Sequence, residues 1–201
     1  MVTKDKFIRI GGWAFMLTAS IMFALFFSAK IDDGRFKFTA TYQAVDTFFW
    51  ILFPILIGLG YRALQSHYQN RLSWLGEFSL LAGIVTAIVG FISAATVLVL
   101  QVDILFWHLK LFIFLSSTIT MMLFGIDSLR GRYLPRWNFT PFGAGFVYVL
   151  GIFFQLTTQK RPWGPTPFDP SIDNGPLVFA IGIFLIGYML QQEGKSSGEA
   201  S

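Results

Sequence analysis

Two side chains in this sequence could do chemistry in an apolar setting, and both fall in one stretch, 104–115, which reads ILFWHLKLFIFL. Lys110 is the lysine set within the long apolar segments. An ammonium held about two helical turns inside a hydrophobic segment is costly, so it needs a carboxylate, a ligand or a path to the headgroups. His108 could ligate a haem or chlorophyll, touch a quinone, or rest at the membrane interface. At helical spacing, Asp103, Trp107, Lys110, Phe114 and Ser117 share one face with Thr118 at its edge, while His108 lies nearly opposite, among Phe112, Leu115 and Ile119. The polar companions of Lys110 turn its face toward the rest of the protein and leave His108 outward.

Which groups could meet Lys110 depends on the other segments. Asp103 lies about 10 Å away along the same helix, at 1.5 Å per residue. Asp46, on a neighbouring helix, is the other carboxylate at that level, and Gln155 is the nearest amide. The pattern predicts an outward-open polar pocket lined by Asp46, Trp50, Asp103, Trp107, Lys110 and Gln155. The alternative is a lysine that snorkels along its own stem to the outer headgroups.

The elements that position these residues follow from composition. The 201 residues are 54% hydrophobic and 18% aromatic but only 13% charged, about half the charged share of a soluble domain. Mean hydropathy is +0.61. This is the balance of an integral membrane protein, and the absence of alternating period-2 patterning leaves helices as the way to satisfy the backbone in lipid. The expected fold is all-α and polytopic, a one-domain bundle of six transmembrane helices over 1–192 with spans at about 7–29, 44–63, 77–100, 104–126, 142–157 and 177–192. The fifth is shorter than the roughly 20 residues a full crossing needs. Residues 193–201 read as a disordered polar tail. The first apolar run is longer than a removable signal sequence, so it reads as an uncleaved helix.

Loop cations set the orientation. With the N-terminus inside, the inner segments hold Lys4, Lys6, Arg9, Arg62, Arg71, Arg130, Arg132, Arg136 and Lys195, against Lys30, Arg35, Lys37, Lys160 and Arg161 outside. Both chain ends are thus expected on the cytoplasmic side of the cell or inner membrane. Of the two long outer loops, 159–176 carries five prolines, with Trp163 and Phe168 among them. It reads either as an ordered cap or as a passive linker.

Three further features bear on packing. Gly83, Ala87, Gly90 and Ala94 form one small-residue face on helix three, which is therefore expected to be central. Pro54 should kink helix two, or be tolerated there by its neighbours. Gly11-Gly12 is read as a close-packing site. Glu77, Asp127 and Glu193, at inner helix ends beside arginines, are expected to be solvated charges.

Several chemistries are excluded or unsupported. The chain has no cysteine, which removes disulfides and thiolate sites. Two histidines, His67 and His108, are too few for a bis-histidine haem with His67 in a loop. There is no phosphate-binding glycine loop, no histidine pair for zinc, no serine–base pair and no basic stripe for nucleic acid. Residues 12–29, GWAFMLTASIMFALFFSA, resemble an early helix of haem-copper oxidase subunit III, but Ser20 stands where that family has a carboxylate, and its later histidine motif has no counterpart here. Residues 160–168, KRPWGPTPF, are similar to the Trp-Pro loop of the tryptophan-rich sensory protein family, where the loop follows the first helix instead of preceding the last. Each likeness covers under a tenth of the chain and assigns no family.

The functional expectation is a non-catalytic accessory subunit packing on partner proteins in a membrane complex, with the bilayer as its other partner. The alternative is a protein that binds or moves a small amphiphilic or anionic molecule, or a lipid, through the Lys110 pocket. An enzyme ranks third. No resident cofactor is expected apart from the haem or chlorophyll option at His108.

Overall fold

A computed structural model describes residues 3–28, 30–32, 35–37, 40–100, 103–134, 138–158 and 175–196. Its elements run α1 (Lys4–Ser28), β1 (Lys30–Asp32), β2 (Arg35–Lys37), α2 (Ala40–Tyr68), α3 (Trp74–Leu100), α4 (Asp103–Gly131), α5 (Phe139–Thr158) and α6 (Gly175–Ser196). Four of the six helices, α1 to α4, are long and apolar enough to cross a membrane. The described side chains of α5 and α6 form shorter apolar stretches, Phe139–Leu150 and Leu177–Glu193.

The helices are longer than the apolar segments that mark them. α2 begins before residue 44 and ends after residue 63, so His67 lies in its last turn and not in a loop. α4 extends to Gly131, and α6 continues to Ser196, into the segment expected to be a disordered tail. Polar turns such as Gln65–Tyr68 extend helices beyond their hydrophobic centres, where hydropathy carries no signal. The polar loop after α1 holds an antiparallel pair of three-residue strands in which Asp32 faces Arg35.

Each helix packs on its neighbours in sequence, and α1 packs on α6 to close the ring. A glycine stands at every seam. Gly11 meets Ala63 between α1 and α2, Gly58 meets Ala87 between α2 and α3, and Gly83 meets Thr120 between α3 and α4. Gly125 meets Phe142, Gly182 meets Ala144, and Gly12 meets Gly187 across the remaining three. A Cβ on Gly125 would lie 2.2 Å from the Phe142 amide nitrogen, so the α4–α5 approach needs glycine there. Without a hydrophobic drive between helices in lipid, such close backbone contact is a main source of association.

The ring interior is filled with rings of another kind. Phe15, Phe53, Tyr61, Phe124, Tyr148 and Phe179 are fully buried, drawn from five of the six helices. Tyr61 donates its hydroxyl to the Ser117 carbonyl at 2.9 Å, tying α2 to α4 across the interior. Phe114 stands edge-on to Tyr148 and Phe179, with centroids 4.6 and 5.1 Å away.

Helix α3 is not central. Its Gly83–Ala87–Gly90–Ala94 face is buried between α2 and α4, but only 28% of its apolar window is buried, against 44 to 50% for the other three long helices. One narrow small-residue face is enough for both contacts. Phe78, Leu81, Val85, Ile88 and Ile92 point away from the ring. α2 continues through Pro54, whose ring packs toward Gly90.

Candidate functional site

Two buried carboxylate clusters, one near each end of α4, are built from opposite strategies. In the first, α2 and α4 face one another. Asp46, Trp50 and Phe53 recur at three- and four-residue spacing, placing them on the inward side of α2. On α4 the inward face carries Lys110, Phe114, Ser117 and Thr118, all buried. Lys110 forms an ion pair with Oδ2 of Asp46. Trp50 Nε1 donates to Oδ1 of the same carboxylate at 2.9 Å, so both oxygens are engaged.

The aromatic surroundings complete this site. The Lys110 ammonium lies 5.6 Å from the Trp50 ring centroid, within the range of a cation–π contact. Trp50 in turn stands edge-on to Phe114 at 6.0 Å. The lysine stem therefore reaches across to Asp46 on α2. The side chain of Lys110 is 8% exposed and that of Asp46 20%, so solvent reaches the pair from the carboxylate side.

Of the six residues expected to line a pocket, the structure brings Asp46, Trp50 and Lys110 together. Asp103 and Trp107 fall on α4 and Gln155 on α5, but their side chains lie outside the described residues. His108 is exposed, on the other side of α4 with Phe112 and Ile119. Among the described residues, no three His, Cys, Asp or Glu side chains gather in a group that could hold a metal ion.

The second cluster was not anticipated from sequence. Asp127, expected to be solvated, is 3% exposed. It accepts the Ser73 backbone N–H at 3.2 Å, the Ser73 hydroxyl, and the Tyr133 hydroxyl at 2.8 Å. Ser73 also caps α3 by accepting from the Leu75 amide. The carboxylate thus joins the start of α3 to the end of α4, with Gly76 beneath it: a Cβ there would lie 2.1 Å from Asp127 Oδ2. Burial, reinforced by the bond to Asp127, pushes the Tyr133 phenol well above the usual tyrosine range and keeps it a donor.

A third carboxylate closes the same end of the bundle. Glu193 of α6, also expected to be solvated, is half-buried, bonded to His67 Nε2 at 2.5 Å and to the Tyr68 hydroxyl at 2.8 Å. The Tyr68 and Tyr133 rings meet at 5.3 Å, which links this contact to Asp127. The signal that was missed is spatial: Ser73 and Tyr133 lie in connections, and Ser73 reaches Asp127 because the start of α3 packs beside the end of α4.

No family model, curated protein or solved structure matches the chain.

Proposed function

We propose that the chain is a six-span membrane protein, with both ends cytoplasmic, that acts as a non-catalytic accessory subunit by presenting α3 to a partner membrane protein. The observation that supports this is the division of labour on α3. Its small residues are spent on α2 and α4, and its large aliphatic and aromatic residues, Phe78, Leu81, Val85, Ile88 and Ile92, form a continuous outward stripe. The stripe recurs at alternating three- and four-residue steps, the spacing that lets one helix seat against another along its length. Meanwhile the buried charge at Lys110 is neutralised within the chain.

The test is purification from the native membrane in mild detergent, with mass spectrometry of whatever co-purifies. A stoichiometric protein partner is expected, lost on Val85→Trp with Ile92→Trp and retained on Phe146→Trp with Val147→Trp, which alter the outward face of α5. A chain that emerges monodisperse and alone overturns the subunit reading.

A second reading is favoured by the partial exposure of Asp46. A small amphiphilic anion could replace that carboxylate as the counter-ion of Lys110 and rest against Trp50. A medium-chain fatty acid should then raise the unfolding temperature of the wild-type protein and not of Lys110→Met. Equal shifts in both would end this reading.

A further inference from the structure

We infer that the cleft between α1 and α6 seats one anionic phospholipid, with its phosphate at Arg9 and an acyl chain running from Trp13 to Ser20. The inference rests on the membrane-embedded part of the proposed function and not on the partner role. The cleft has a volume of about 490 Å³ and is lined on α1 by Arg9, Trp13, Leu17 and Ser20, and on α6 by Phe184 and Tyr188. It exists because the two helices cross backbone to backbone at Gly12 and Gly187, where a Cβ on Gly12 would lie 2.7 Å from the Gly187 carbonyl oxygen. The large side chains that flank this crossing rise on either side of it as walls. Gln191 donates its side-chain amide to the Arg9 carbonyl, which fixes the mouth of the cleft.

The lining is divided as an amphiphile requires. Arg9 is exposed at one end, and the first turns of α1 add Lys4 and Lys6 against the single carboxylate Asp5. Beyond Arg9 the walls are Trp13 and Leu17 on α1 and Phe184 and Tyr188 on α6, all exposed. Arg9 to Ser20 spans about 16 Å of helix, room for most of one acyl chain. Ser20 turns its hydroxyl back to the Met16 carbonyl at 2.9 Å, leaving no polar demand at the far end. An exposed guanidinium at the headgroup level above an apolar trough fits a phosphodiester with a tail better than a free anion, which would gain nothing from the trough. Arginine suits that phosphate because its planar fork matches two of its oxygens.

The test uses the full chain purified in detergent, with native mass spectrometry of retained lipid after addition of phosphatidylglycerol or phosphatidylcholine of matched chains. One phosphatidylglycerol should be retained in preference to phosphatidylcholine. Arg9→Gln should lower that preference by about five-fold or more, the worth of one cation near a lipid phosphate. Arg62→Gln, an exposed arginine of α2, should leave it unchanged. Ser20→Phe fills the far end of the trough without touching any cation, and should reduce retention of both lipids. Equal losses from Arg9→Gln and Arg62→Gln, or full retention in Ser20→Phe, overturn the site. The measurement needs no protein partner, so a missing partner leaves it intact. A chain that purifies from the aqueous fraction without detergent instead removes the membrane reading beneath it.

Discussion

The two ends of α4 bury carboxylate clusters in opposite ways. At one end Asp46 is matched by a full charge, Lys110, with the Trp50 indole as a third member. About 25 Å further along α4, Asp127 is buried against neutral donors: the Ser73 amide and hydroxyl and the Tyr133 hydroxyl. The first arrangement holds two ionised groups in place only as a pair, since removing either strands the other. The second spreads one charge over three hydrogen bonds from two connections, so each bond can be lost singly. The ion pair fastens helix to helix, while the Asp127 cluster fastens a loop and a helix start to a helix end.

That contrast can be broken most forcefully at Lys110. Lys110→Met should cost about 3 kcal/mol or more by leaving the Asp46 carboxyl without its counter-charge, read as a shift in unfolding by denaturing detergent. At the other cluster, Gly76→Ala drives a methyl into Asp127 Oδ2, and should cost about 1–3 kcal/mol as the α3 start is pushed away. Tyr133→Phe removes one of three bonds to Asp127 and should cost about 1 kcal/mol.

The same tyrosine supplies a pH dependence. Its folded pKa is raised above the unfolded value, so its contribution is fully present below the ordinary phenol range near 10 and is lost as pH climbs past it. Stability should therefore fall more steeply above about pH 10 in the wild type than in Tyr133→Phe. The smallest effect is at Arg132, which follows α4 with a φ of 49°. A non-glycine residue pays in sterics for that left-handed turn, so Arg132→Gly should stabilise by up to about 1 kcal/mol.

How much was legible in the sequence divides along similar lines. The inward face of α4 was readable because Lys110, Phe114, Ser117 and Thr118 repeat at helical spacing within one segment. Asp46 could be placed at the same level from helix order alone. The Asp127 cluster was not readable, because Ser73 lies 54 residues from Asp127 and no local pattern joins them. Gly11-Gly12 and the α3 glycines announced close packing. Gly58, Gly125 and Gly182, set in apolar runs, gave no sign that each sits at a seam. The rim position of α3 was misjudged for a related reason: a small-residue face reports close approach on one side and says nothing of how many helices cover the others.

A double-mutant cycle over Lys110→Met and Asp46→Leu, followed by unfolding in detergent, tests most directly whether α4 turns its cation inward to α2. The pair facing each other predicts that each single change is strongly destabilising and that the double variant recovers much of the loss, a coupling above about 1.5 kcal/mol for a close charge pair. Additive effects, with coupling within about 0.5 kcal/mol of zero, would mean the two groups do not meet.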